Sequence, residues 1–216
     1  MSNKTNNKNK TSLIPVIDRY FLEITESIKE LDKKSIQELA FSIIKANSKK
    51  KKIFILGNGG SATTASHFAC DLQKGTIADF EDISENRLQV ISLNDNIAVM
   101  TAYANDLSYE HIFVEQIKSL GEKGDLLIVI SGSGNSMNVI RSVEYSHKKG
   151  MHIVGLLGFK TGGKLSKLVD RAIIVQSTSY GPIEDIHGML CHITASLVAN
   201  IKRNKKPAKN KAVPFA

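Results

Sequence analysis

The 216 residues, 42% hydrophobic and 23% charged, suit one globular domain with a sizeable core and are too few for two independent enzymes. No apolar run approaches the ~20 residues that span a bilayer, which excludes a membrane helix. The net charge of +8 sits at the ends: residues 1–12 hold three lysines and 202–216 six basic residues, neither with an acid, leaving 20 basic against 21 acidic side chains in 13–201.

Residues 1–12 and 202–216 therefore read as disordered basic tails around a domain over 13–201. Such tails attract polyanions non-specifically. No RNP-like run, aromatic interleaving or zinc-finger spacing supports specific nucleic-acid binding. The polar start MSNKTNNKNKTS lacks an apolar signal segment, and two cysteines, Cys70 and Cys191, make no disulfide framework. A cytoplasmic location is expected, with both cysteines as small core residues.

From Ile14, the spacing of Ile17, Tyr20, Phe21, Ile24 and Ile28 predicts an amphipathic helix. A second helix is expected after Lys33-Lys34, with Ser35 as N-cap, Leu39, Ile43 and Ile44 inward, and Lys49 to Lys52 as its solvated end. Short apolar runs then follow at 53–56, 88–91, 126–130, 152–156 and 172–175, as for strands buried on both faces of a parallel sheet. Helices are expected near 60–73, 95–119 (broken near Asn105), 136–149, 163–168 and 182–201. The expected fold is α/β, a three-layer α-β-α sandwich on a five-stranded parallel sheet, with the two N-terminal helices as extras for docking or oligomerisation.

Two strands run into glycine- and serine-rich turns that open helices: Gly57-Asn58-Gly59-Gly60-Ser61 and Ser131-Gly132-Ser133-Gly134-Asn135-Ser136. In an open parallel sheet, ligands bind beyond the carboxyl ends of strands, and free N–H groups with serine hydroxyls suit phosphate oxygens. Neither turn carries the Gly-Lys-Ser/Thr of a nucleotide loop. Gly57-x-Gly59-x-x-Ala62 matches the dinucleotide fingerprint loosely, but the second strand and its Asn94-Asp95 arrive too late for the acidic residue that fingerprint needs. A compact sugar phosphate fits better.

A second chemistry lies on the helices. His67 and Asp71 share one face at four-residue spacing, and the last helix carries Glu184, Asp185, His187 and His192. Imidazole with carboxylate suits a divalent transition metal, zinc most readily. Glu184 and His192 stand roughly 12 Å apart along a helix, so they converge on one ion only with a favourable tilt, or else meet across a subunit boundary. Asp185 and His187 are candidate supporting groups, and His187 reads equally well as a helix-surface histidine.

Two leading helices, GNGGS, His-Phe-Ala-x-acid-Leu, SGSGNS and the final His-x-x-x-x-His helix, in that order over about 14–201, resemble the SIS (sugar isomerase) superfamily, and within it the sedoheptulose 7-phosphate isomerases. The resemblance implies a SIS/flavodoxin-like fold and a homotetramer with active sites at subunit interfaces. It implies interconversion of sedoheptulose 7-phosphate and D-glycero-D-manno-heptose 7-phosphate, a step toward nucleotide-activated heptose for surface glycans. Ser131, Ser133 and Ser136, with Gly132, would hold the phosphate. Asn58, Gly59, Gly60, Ser61, Asn94, Asp95 and Glu184 would line the sugar. One Zn2+ would fall on His67, Asp71, Glu184 and His192, with Asp71 as base and His192 as acid.

Four positions depart from the family pattern. Its usual glutamate is Asp71 and its usual glutamine is Glu184. A family arginine is Gly75, beside Lys74, and an acidic residue is Gly181. The metal chemistry is kept in kind while the sugar shell differs. Two alternatives follow, an isomerase of another sugar phosphate and a non-catalytic SIS binding module.

Overall fold

The computed structural model describes residues 12–204. Five parallel strands, β1 (Lys52–Gly57), β2 (Gln89–Ser92), β3 (Leu126–Ser131), β4 (His152–Leu157) and β5 (Arg171–Ile174), form one sheet in the order β2-β1-β3-β4-β5. Around it lie α1 (Ile14–Lys29), α2 (Lys33–Ser48), α3 (Gly60–Lys74), α4 (Ile97–Asp106), α5 (Val114–Leu120), α6 (Met137–Lys149) and α7 (Tyr180–Asn204). The expected three-layer sandwich is present.

Strand alternation builds two cores. Ile53, Ile55, Ile128 and Leu156 face α2, α3 and α7, where Leu39, Ile43, Phe68, Leu72 and Leu190 are fully buried. Phe54, Leu56, Leu127, Val129 and Ile153 face the other way, against Ile117 of α5 and Val139 and Val143 of α6. Helix α3, which follows β1, thus covers one face and α6, which follows β3, the other. The chain turns in opposite directions from these adjacent strands, and the crevice beyond their ends is where such sheets bind ligands. Gly57 pairs with Ile130 in register, which sets the two glycine- and serine-rich turns side by side.

Several local expectations are corrected. Asp32, not Ser35, caps α2: its carboxylate accepts from the Lys34 N–H at 3.0 Å, while the Ser35 hydroxyl donates to the same carboxylate at 2.6 Å. A carboxylate one residue before the helix is the better acceptor, and the serine is left as its partner. The lysine run is not one solvated end. Lys49 caps α2, whereas Lys52 opens β1 and pairs with Glu122 (3.3 Å) and the buried Asp125 (3.7 Å). The 95–119 helix divides into α4, a 3₁₀ turn at Tyr109–His111 and α5, and the segment near 163–168 is a 3₁₀ turn at Lys164–Lys167. Helix α7 runs to Asn204, so residues 202–204 belong to the fold; residues 1–11 and 205–216 lie outside the described residues.

Helix α1 forms as expected, and it leaves its apolar face outward. Ile14, Ile17, Phe21 and Leu22 are 50–63% exposed, and only Ser27 is buried. Its polar face docks instead: Tyr20 donates to Asp185 at 2.6 Å, Glu23 accepts from Ser177 and Ser179, and Ser27 donates to the Gln176 carbonyl. The Asp185 hydrogen bond raises the Tyr20 pKa to about 12, and the Ser177 hydroxyl holds Glu23 below the usual carboxylate value. No helix among the described residues is long and apolar enough to cross a membrane.

Candidate active site

The first turn leaves β1 at Gly57. Gly59 is the N-cap of α3 with φ +57° and ψ −125°, a conformation that only glycine adopts without strain, and the space around it is open. Asn94, from the loop after β2, spends its amide on this turn: Oδ1 accepts from the Gly57 N–H at 3.1 Å and Nδ2 donates to the Gly57 carbonyl at 2.9 Å. Its place is therefore as a brace for the loop. Asp95 is exposed and accepts a short hydrogen bond from Ser66 of α3.

The second turn is folded on itself. Ser131 is buried, and its Oγ accepts from the Gly134 N–H at 3.1 Å. Ser133 Oγ accepts from the Asn135 N–H, and Ser136 is the N-cap of α6 without a side-chain capping bond. The Ser136 hydroxyl and the positive end of the α6 dipole remain available to an anion. Gly134, at φ +63°, presses on the Gly162-Gly163 turn so closely that a Cβ would stand 1.9 Å from the Gly162 carbonyl oxygen. The Leu165 N–H donates to the Gly134 carbonyl at 3.0 Å, locking the contact.

Asn58 joins the two turns. It exchanges a reciprocal amide pair with Asn138 of α6, at 2.9 and 2.8 Å, and accepts from the Tyr109 hydroxyl at 2.9 Å. Neither Tyr109 nor Asn138 is among the residues the sequence singles out. Asn138 lies two positions past SGSGNS, where extending the serine turn into its helix finds it; for Tyr109 the sequence carries no signal.

Helices α3 and α7 pack together and gather the metal-type ligands. Nε2 of His67 lies 3.4 Å from Oδ2 of Asp71, and Nδ1 of His192 lies 3.0 Å from that same oxygen. The three donor atoms all fall within 4.8 Å of one another, and the imidazoles meet edge to face at 5.0 Å. Asp71 Oδ2 is buried yet makes no hydrogen bond. Tetrahedral zinc with bonds of about 2.0–2.1 Å separates its ligands by roughly 3.3 Å, so the spacing and the orphaned oxygen suit such an ion. These residues fit a metal.

Glu184 does not join the three. It stands at the first turn of α7 against the start of α3, where its Oε2 would be 2.5 Å from a Cβ on Gly60. The two-turn offset along α7 accounts for the separation. His187 is fully buried, neither a helix-surface residue nor a partner of the cluster; its Nε2–H donates to the Leu157 carbonyl at 3.1 Å, and burial lowers its pKa to about 4. Asp185 is taken by Tyr20. Of the cysteines, Cys191 is buried and its thiol pKa raised by burial, but Cys70 is exposed, on the outer side of α3. The two glycines that depart from the family pattern have structural reasons. A Cβ on Gly75, the C-cap of α3, would stand 2.7 Å from the Asp71 carbonyl oxygen, and one on Gly181 would stand 2.8 Å from the Tyr20 hydroxyl.

A family model described as SIS domain matches residues 19–158. A phosphoheptose isomerase of a Nitratiruptor species is 40% identical over 169 residues, 75% of this chain and 87% of that one. The phosphoheptose isomerase of Thermodesulfovibrio yellowstonii is 42% identical over 176 residues, 82% and 85% of the respective chains. Among solved structures, phosphoheptose isomerase GmhA from Neisseria gonorrhoeae aligns with a TM-score of 0.77 at 29% identity, over 87% of this chain and 97% of that one.

Proposed function

The chain belongs to the SIS domain family, and on that premise we propose that it is a sugar-phosphate isomerase that interconverts sedoheptulose 7-phosphate and D-glycero-D-manno-heptose 7-phosphate. The observation that carries the reading is the convergence of His67, Asp71 and His192 on one buried oxygen, on helices that open beside two phosphate-type turns. The relatives named phosphoheptose isomerase support the substrate class.

The reaction moves one proton between neighbouring carbons. Asp71 takes a proton from C1 of the ketose while His192 protonates the C2 carbonyl oxygen, so the C–H electron pair becomes the C1=C2 bond of an enediol. Returning the carbon proton to C2 and removing the C1 hydroxyl proton gives the aldose, with no net oxidant. With Oδ2 turned toward both imidazoles, Oδ1 is the oxygen left on Asp71 for the carbon proton. Histidine suits the oxygen end because it exchanges protons near neutral pH. Ser131, Ser133 and Ser136 with the α6 N-terminus grip the remote phosphate, whose binding energy orients the reacting carbons.

His67, Asp71 and His192 would hold a zinc ion, with Glu184 reaching it only after its side chain turns from Gly60. When bound, the ion supplies Lewis-acid stabilisation of charge on the sugar oxygens. A homotetramer belongs to the same proposal, because the apolar residues of α1 are left facing outward and a second copy of this chain would cover them. A cytoplasmic setting goes with it. The missing side chains at Gly75 and Gly181 favour a second reading in which the sugar is a different ketose phosphate.

The test compares wild type, Asp71→Asn and His192→Ala on sedoheptulose 7-phosphate, with and without added zinc, reading the aldose by NMR. Loss of about 10²-fold or more in both variants supports the acid–base pair. Full activity in either removes that residue from the mechanism.

A further inference from the structure

The Asn58 amide has only one orientation open to it. The backbone N–H of Val139 donates to Asn138 Oδ1 at 3.0 Å, and a backbone donor cannot be exchanged for an acceptor. That contact fixes which atom of the Asn138 amide is oxygen. Asn58 Nδ2 must then be the group that donates to Asn138 Oδ1, and Asn58 Oδ1 the group that receives Asn138 Nδ2. Tyr109 meets Asn58 at Oδ1, so its hydroxyl is the donor.

An amide oxygen has two acceptor positions and an amide nitrogen two N–H groups. Both positions on Asn58 Oδ1 are filled, and one of its two N–H groups is used. Asn58 is left with a single N–H and no acceptor. The Tyr109 turn is itself tied to α6, because Glu110 takes Arg141 at 2.7 and 2.8 Å. Tyr109 is 57% exposed, so its ring adds little to the core.

We propose that Tyr109 is a positioning residue which, with Asn138, locks Asn58 as a donor-only group whose free N–H meets an oxygen of the bound sugar phosphate. This rests on the sugar-phosphate reading above. Removing the Tyr109 hydroxyl leaves the orientation set by Asn138 but frees one acceptor position on Asn58 Oδ1, so the amide is no longer donor-only toward the sugar and is held from one side alone.

The experiment is a double-mutant cycle on Tyr109→Phe and Asn58→Ala. The probe is the alditol phosphate made by reducing sedoheptulose 7-phosphate, which binds without turning over. Calorimetry gives its Kd, and ketose turnover is followed separately. Tyr109→Phe should raise Kd about threefold to tenfold in the wild-type background and less than about twofold once Asn58 is alanine. The thermal midpoint, which a merely structural role would move, should hold. Equal effects in both backgrounds, or none in the wild type, overturn the proposal, as does a wild type that does not bind the alditol phosphate. A wild type that binds the probe but leaves the ketose unconverted sinks the isomerase reading alone, since the cycle on Kd still decides the role of Tyr109.

Discussion

Oδ2 of Asp71 on α3 lies 3.0 Å from Nδ1 of His192 on α7, buried and without a hydrogen bond. A carboxylate oxygen enclosed by two imidazoles and left unsatisfied is costly unless a proton or a cation resides there.

Zinc should therefore raise the stability of the folded chain. A ligand at one hundred times its Kd adds about 2.7 kcal/mol, visible as a higher thermal midpoint. His67→Ala should abolish the rise. Glu184→Gln should reduce it less, because Glu184 rests on Gly60 away from the three donors. A larger loss in Glu184→Gln than in His67→Ala would show that Glu184 is the stronger ligand.

Gly134→Ala should destabilise the protein by about 2 kcal/mol or more, since it adds a side chain at φ +63° and drives a methyl group to 1.9 Å from the Gly162 carbonyl. Urea denaturation measures the cost. A neutral substitution would mean that the Gly162-Gly163 turn yields easily.

His187 sets an acid dependence. Its folded pKa, about 4, lies below the ordinary value of 6.5, so between those limits the unfolded chain binds the extra proton. Stability from this group is complete above about pH 6.5 and falls as the pH drops toward 4, by up to roughly 3 kcal/mol. His187→Gln should keep the Leu157 hydrogen bond and flatten that part of the slope. Identical wild-type and variant slopes in denaturation at pH 7.5 and 5 would contradict the assignment.

Tyr20→Phe removes the hydroxyl that ties α1 to Asp185 and should cost at most about 1 kcal/mol. Amide exchange along α1 should quicken more than along α2. The contrast follows from how the two helices are held, α1 by polar contacts and α2 by Leu39 and Ile43 in the core.

The strands were legible because residues such as Ile53–Leu56 and Leu126–Ile130 are buried on both faces and show it in composition alone. The two turns were legible for a related reason: glycine and serine at strand ends leave few other uses. His67 and Asp71 could be paired from helical spacing, and His192 through the resemblance. The apolar stripe of α1 was legible as a helix face, but periodicity reports that a face is apolar without saying what covers it. His187 misleads, since a helix that is buried on several sides hides a histidine its sequence neighbours do not mark. Asn138 could have been reached by extending the serine turn, but its pairing with Asn58, and Tyr109 altogether, were not legible. They depend on which loops the sheet order brings together, and no local pattern encodes that.

The proposed isomerisation is best tested by incubating the zinc-supplemented wild-type protein with sedoheptulose 7-phosphate in deuterated water and following both sugars by NMR. Sedoheptulose 7-phosphate should disappear as the aldose phosphate forms, with solvent deuterium at C2 in those turnovers in which the proton held by Asp71 exchanges before it is returned. An unchanged ketose in a folded, zinc-loaded protein would contradict the isomerisation.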